Sequence, residues 1–399
     1  MAGIGALALA YVLSQFFRSF LAVLVPVLSV DLGATKADLS TASGLFFLVF
    51  AMAQFPIGVS LDRFGPRLTA SVLLGLGAGT GCILFALATA PWMISLASAL
   101  LGLGSAPVLM ASLYIFAHTY PPARFAMLAS WMVALGTAGN VLGAAPLAFA
   151  VEALGWRTVL FCLAAISLGV AVALAILVKE PPRHPATHGS SGFRGYIELL
   201  RLRVLWPIIP ITAAAYAPAV GIRGLWAGPY LADLHGAGVM EIGRATFWMA
   251  LAMVVGAFLY GPLDQIFRTR KWVAVVGTSS CGTAVLLLGL FPSVSLFAAT
   301  MLMLAIGLFG ATYGLLMAHA RAFFPPHLIG RGVTLMNFFA IGGVGLMQFA
   351  TGWIATHAAV PGDPGAAYRA LFIFIAAMLG VSVLIYLFAR DAPPERRNA

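Results

Sequence analysis

The sequence predicts an all-α membrane protein: twelve transmembrane helices in two pseudo-symmetric six-helix bundles. Three observations carry this. The residues are 62% hydrophobic and only 9% charged, with a mean hydropathy of +1.01, more apolar surface than a water-soluble core can hide. The apolar residues fall into twelve runs, each near the ~20 residues that cross a bilayer. Acidic landmarks then recur at a fixed interval: Asp31 with Asp233 and Asp62 with Asp264, each pair 202 residues apart. Such self-similarity marks an internal repeat.

In order, the runs cover 4–30, 40–61, 68–90, 92–118, 125–150 and 157–178 in the first half, and 204–231, 242–263, 272–291, 294–323, 332–355 and 366–389 in the second. Pro121-Pro122 ends the fourth as Pro325-Pro326 ends the tenth, because proline cannot continue a helix. Gly136 and Gly139 of the fifth recur as Gly342 and Gly345 of the eleventh, where small residues let helices approach closely. Gly155-Trp156-Arg157 opens the sixth and Tyr368-Arg369 the twelfth. Trp92 and Trp272, at helix starts, suit the membrane interface.

The division is therefore a bundle over 1–178, a linker over 179–203 and a bundle over 204–399 with a short tail. The linker is rich in Pro, His, Gly and Ser and reads as a flexible tether. Within it, 196–203 reads either as an amphipathic surface piece or as a solvated loop. Net charge is +10 (22 minus 12), but the basic residues sit in short loops, so they report topology and not a nucleic-acid partner. With both termini inside, sixteen Lys and Arg lie on the cytoplasmic side, against Lys36, Arg157, Arg244 and Arg369 opposite. That bias puts both termini in the cytoplasm, and the chain is expected to be a multi-pass protein of a bacterial inner membrane. The N-terminal run lacks a basic leader and reads as a retained first helix. Cys82, Cys162 and Cys281 are scattered in separate apolar runs, with no metal or disulfide spacing. No cofactor is expected.

Between the second and third runs stands Gly58-Val-Ser-Leu-Asp62-Arg63-Phe-Gly65-Pro-Arg67. This resembles the signature loop G-x-x-x-D-R-x-G-x-[RK] of the major facilitator superfamily. Gly261-Pro-Leu-Asp264 with Arg268, Arg270 and Lys271 repeats it in degraded form. The resemblance implies a secondary transporter that rocks one bundle against the other around a midplane site. It also implies conformational roles for Gly58, Asp62, Arg63, Gly65, Arg67 and Asp264, with Asp62 and Arg63 latching one state, and a monomer as the family default.

Two arginines, Arg18 and Arg223, lie within the first helix of each half, thirteen residues before Asp31 and ten before Asp233. At ~1.5 Å per residue this is roughly 15–20 Å below the boundary. A central Arg costs ~2.5 kcal/mol or more on insertion scales, so it needs a partner or a watery cavity. All twelve Asp and Glu sit in loops or at helix ends. One reading makes the missing anion the substrate, gripped by a guanidinium fork; the other has the arginines bonding backbone carbonyls. In the resembling family, helices one, four, seven and ten line the cavity. On that basis Gln15, Tyr114, Trp226 and Tyr313 are expected lining residues, with Asn140 in the fifth helix; Tyr11, Tyr216, Asn337 and Gln348 accompany them. For any single aromatic, packing is the plainer reading.

His319 is the internal group suited to carry a coupling proton, against which stands its closeness to Pro325 and the interface. Met249 and Met253 form an M-x-x-x-M pair, a Cu(I)-type ligand spacing, although packing is the simpler account. An intramembrane enzyme would need a convergent acid, base or nucleophile set, and none is present. The expected function is uptake of a small organic anion. The alternatives are a neutral heterocycle such as a vitamin, then copper, and, in another class, a transport-dead receptor or assembly factor.

Overall fold

The computed structural model describes residues 2–180, 194–325 and 328–393. Pro326, part of the linker and the last residues of the tail lie outside them. The described chain is helical, with one isolated antiparallel bridge, Val360 to Asp363. Among the described residues, ten helical stretches are long and apolar enough to cross a membrane. Counting each bent pair as one span brings the described residues to twelve: Ala2–Phe16 with Leu21–Leu32, bent by 53°, and Met127–Leu142 with Ala145–Leu154, bent by 43°.

Within each half the same neighbours pair. The first span lies along the fifth and the third along the sixth, while the seventh lies along the eleventh and the ninth along the twelfth. Glycines make these approaches possible. A Cβ on Gly139 would sit 2.0 Å from the Val12 carbonyl oxygen, and one on Gly343 would sit 2.1 Å from that of Ala213. The second and fourth spans cross at Gly102 against Phe46, and the eighth and tenth at Gly307 against Met249. Without a hydrophobic force between helices in lipid, such contact is what holds them together.

The chain divides into two compact units, and the divisions fall inside the seventh and the eighth spans. One unit holds the first six spans together with Gly224–Phe247; the other begins the seventh span up to Arg223 and resumes at Trp248. The expected bundle boundaries differ from this in the place of Gly224–Phe247. That segment stays with the first unit through close packing. A Cβ on Gly228 would lie 2.3 Å from the Ala22 carbonyl, and Lys36 Nζ is 2.5 Å from Asp233 Oδ2. Part of the expected linker is ordered as the helix Arg194–Arg201. Its Leu199 is buried against the second unit's core, and Ile197 and Leu200 remain exposed.

Candidate functional site

Arg18 does not lie in a regular helix. It occupies the turn Phe17–Phe20 between the two limbs of the first span. Here the backbone tightens to three-residue bonds, Arg18 N–H to Gln15 O and Ser19 N–H to Phe16 O. The Ser19 hydroxyl also donates to Phe16 O at 3.2 Å, a back-bond of the kind that bends helices. Phe16, Phe17 and Phe20 pack ring on ring at 5.6 to 6.1 Å and fill the bend. The half-buried Arg18 lays its guanidinium over the Phe50 ring, 4.6 Å from the centroid. Its Nε is buried without a hydrogen-bond partner among the described residues, as is Gln15 Oε1 one turn earlier.

Close by in the same unit, the fourth span breaks between Ser105 and Pro107. Proline cannot donate and disturbs the turn before it. The Ser14 hydroxyl donates to Ser105 O at 3.1 Å, and Gln54 Nε2 to Ala106 O at 3.4 Å. Tyr114 is half-buried and stacked on His118, centroids 4.2 Å apart. Asn140 is half-buried in the fifth span.

Arg223 lies within the second unit in a π-helical turn, Ile222–Trp226, where the seventh span is interrupted. Such wide turns occur often at functional sites. Pro218 precedes it, and Gln348 Nε2 donates to Gly221 O at 3.2 Å. Arg223 is 1% exposed. Tyr216 and Tyr313 face each other at 5.2 Å, and the Tyr313 hydroxyl donates to Asn337 Oδ1 at 2.8 Å. The tenth span breaks beside Tyr313, at Gly310–Thr312. Thus the first, fourth, seventh and tenth spans are all interrupted midway. Trp226 has no accessible surface; in this state it faces packed protein rather than an open cavity.

The other expected residues are placed as follows. His319 is wholly buried, with Nδ1 2.5 Å from the Tyr386 hydroxyl and Nε2 2.9 Å from Arg390 O. A carbonyl only accepts, so Nε2 carries the proton and Tyr386 donates to Nδ1. Both ring nitrogens are engaged, tying the tenth span to the end of the twelfth. Met249 and Met253 both close around Gly307, which makes the pair a packing element. No cluster of three His, Cys, Asp or Glu able to hold a metal occurs among the described residues.

In the signature loop, Gly65 adopts φ +91°, a conformation L side chains rarely take. A Cβ there would strike the Glu180 carboxylate at 2.5 Å, and Arg67 Nε lies 3.9 Å from Glu180 Oε1. Gly58 is in open space and Arg63 lies over the Phe64 ring at 5.3 Å. The Asp62 side chain lies outside the described part of the structure. In the second unit, buried Asp264 pairs with Arg270 at 3.2 Å. Asp391 accepts from the Thr269 hydroxyl and from the N–H groups of Arg270 and Lys271. Burial pushes the Asp391 carboxyl up, yet these hydrogen bonds together hold it below the usual aspartate value. Sequence reasoning missed Glu180 and Asp391. The signal was there: Lys179-Glu180-Pro-Pro after the sixth span recurs as Arg390-Asp391-Ala-Pro-Pro after the twelfth.

Comparison with known proteins fits this architecture. The family model of the Major Facilitator Superfamily matches residues 7–236 and 224–399. The chain is 23% identical over 281 residues to a protein of Cupriavidus necator named "Probable sulfoacetate transporter SauU". That match takes in 66% of this chain and 65% of the relative, so the chain spans under two thirds of the relative's length. Among solved structures, a bacterial homolog of the human lysosomal transporter Spinster superposes with a TM-score of 0.77 at 20% identity, covering 97% of this chain and 96% of that one. A D-xylose-proton symporter gives 0.76 at 13% identity, covering 97% of each chain. A point mutant of the nucleoside transporter NupG gives 0.75 at 14% identity, covering 97% of this chain and 99% of that one. At these identities the structures speak for the fold alone.

Proposed function

Since the chain belongs to the major facilitator superfamily of transporters, we propose that it carries a small organic anion across a bacterial inner membrane, recognised by Arg18 and Arg223. The observation that carries this reading is Arg18. Its guanidinium is stacked on Phe50 at a mid-span break, with Nε buried and making no hydrogen bond among the described residues. A fork held in that way suits a carboxylate or sulfonate. Interrupted helices at mid-membrane are where carriers of this kind place substrate contacts. The relative named for sulfoacetate supports the same substrate class.

Gln15 joins Arg18 in this reading, while Tyr313 with Tyr216 and Asn337 offers a polar aromatic surface in the second unit. Tyr114 and Asn140 are further contacts, and Trp226 a packing support. His319, with both nitrogens engaged, is structural. Gly58, Asp62, Arg63, Gly65, Arg67 and Asp264 serve the conformational change, so Asp62→Asn slows transport and spares binding. Both termini are cytoplasmic on the loop-charge bias, transport is inward and the carrier is a monomer. Without an intramembrane carboxylate, exchange or entry of the protonated anion replaces a carboxylate proton relay.

A second reading rests on the tyrosine pair: a neutral heterocycle stacked on Tyr216 and Tyr313, with the arginines structural. Thermal unfolding of the detergent-solubilised protein separates the two, because a ligand raises stability by mass action. The panel is dicarboxylates, sulfonated carboxylates, inorganic anions, vitamins and Cu(I), against wild type, Arg18→Gln and Arg223→Gln. Organic anions stabilise wild type, and the folded arginine variants lose the shift. Stabilisation of all three proteins by a vitamin or by Cu(I) would overturn the anion reading.

A further inference from the structure

We propose that a groove on the second unit binds an anionic phospholipid, with an acyl chain in the groove and the phosphate on Arg268. The groove lies between the eighth, ninth and tenth spans and holds about 350 Å³. Tyr260, Val273 and Gly277 form its floor. The Tyr260 hydroxyl donates to Phe309 O at 3.0 Å, so the floor's polar group is already satisfied and the surface left over is apolar. Gly277 is an enforced indentation, since a Cβ there would lie 2.0 Å from the Tyr260 hydroxyl. Phe267, Trp272 and Val276 stand exposed around the mouth.

One end of this slot opens at the turn that joins the eighth span to the ninth. Thr269 both lines the groove and bonds Asp391, and Arg268, Arg270 and Lys271 crowd the same turn. The two acids here are engaged. Asp264 pairs with Arg270, and Asp391 accepts from Thr269 and from backbone N–H groups. The Lys271 ammonium donates to Leu387 O at 2.7 Å. Arg268 is exposed, and no ion pair among the described residues involves it. It is also the one non-glycine residue described with a left-handed backbone, φ +51°. A long side chain in that conformation costs stability that glycine would not, which points to a use for the side chain. A cation whose two chain neighbours, Phe267 and Thr269, both line the groove, an exposed indole at the mouth, Trp272, and an apolar slot leading away match the three parts of an anionic lipid at its interface. A soluble anion would engage the rim and have no use for the slot. This inference does not depend on the transported solute.

The test titrates phosphatidylglycerol into the detergent-solubilised full chain and follows thermal unfolding. Parallel arms use phosphatidylcholine of the same acyl composition and inorganic phosphate. Wild type is compared with Arg268→Gly, which suits the local backbone, and Val276→Trp, which fills the groove from its exposed rim. Phosphatidylglycerol is expected to stabilise wild type, and phosphate alone to have no effect. Arg268→Gly should keep or raise the lipid-free unfolding temperature and lose roughly fivefold in phosphatidylglycerol affinity, the worth of one basic residue at an anionic surface. Val276→Trp should lose the lipid shift. Equal stabilisation by both lipids, an undiminished shift in Arg268→Gly, or the same shift from phosphate alone would overturn the site.

Discussion

The guanidinium carbon of Arg18 lies 4.6 Å from the centre of the Phe50 ring, so the break in the first span is aligned by the second. A cation over a ring face is worth about 0.5–2 kcal/mol. Phe50→Leu keeps the apolar bulk and removes the face. It should weaken the organic-anion shift in thermal unfolding by roughly 2- to 30-fold, that energy range expressed as affinity. Arg18→Lys should not restore wild-type affinity, because an ammonium neither stacks nor forks. Wild-type affinity in both variants would detach this contact from binding.

The third and fourth spans meet backbone to backbone. A Cβ on Gly104 would lie 2.2 Å from Ala78 N, and one on Gly77 would lie 2.5 Å from Gly104 Cα. The third span is π-helical here, over Leu74–Gly79. Gly104→Val forces the helices apart and should cost about 1–3 kcal/mol of stability, the usual range for overpacking. Denaturation in detergent measures it; a variant as stable as wild type would mean that the crossing yields without strain.

Asp391 makes stability depend on pH. Its carboxyl is held below the usual aspartate value by the Thr269 hydroxyl and three backbone N–H groups, against the upward push of burial. A lowered folded-state value means the contribution is complete above the unfolded value near ~4. It is lost as pH falls through the folded one. Asp391→Asn should therefore unfold earlier than wild type near neutral pH, and the two should converge below about pH 4. A gap that stays constant down the acid limb would rule out ionisation as its source.

Tyr386 and His319 share one hydrogen bond inside the second unit. Tyr386→Phe leaves Nδ1 of the buried imidazole without its donor, and an unsatisfied buried polar group costs about 1–3 kcal/mol. Stability should fall by that amount while solute affinity holds. If the variant kept its stability and lost proton-dependent flux, His319 would be a coupling residue after all.

Much of the architecture was legible because lipid leaves few choices. Every span must be apolar and about one bilayer long, so runs, loops and repeat stand out. The two arginines were legible for the same reason, being costly where they are. The interruptions were less so. Pro107 and Pro218 are visible signals for the fourth and seventh spans. The bend at Phe17–Phe20 has no proline or glycine and depends on the Ser19 back-bond and packed rings. The setting of His319 was hidden for another reason: Tyr386 lies 67 residues away, and no local pattern encodes that meeting. The division of the seventh span between two units follows from Gly228 and Lys36, single residues whose partners are distant in sequence.

The bent first span bears on biosynthesis. Its limbs are 15 and 12 residues long, each short of the ~20 that hold a helix across a bilayer by itself. An arginine sits at the joint. As this segment leaves the ribosome, it is a poor candidate for stable release into lipid. The contact that suits it best, Gly139 against Val12, is supplied by the fifth span, synthesised more than a hundred residues later. The first span therefore reaches its settled place only when later ones arrive, and early truncation of the nascent chain should leave it extractable from the membrane.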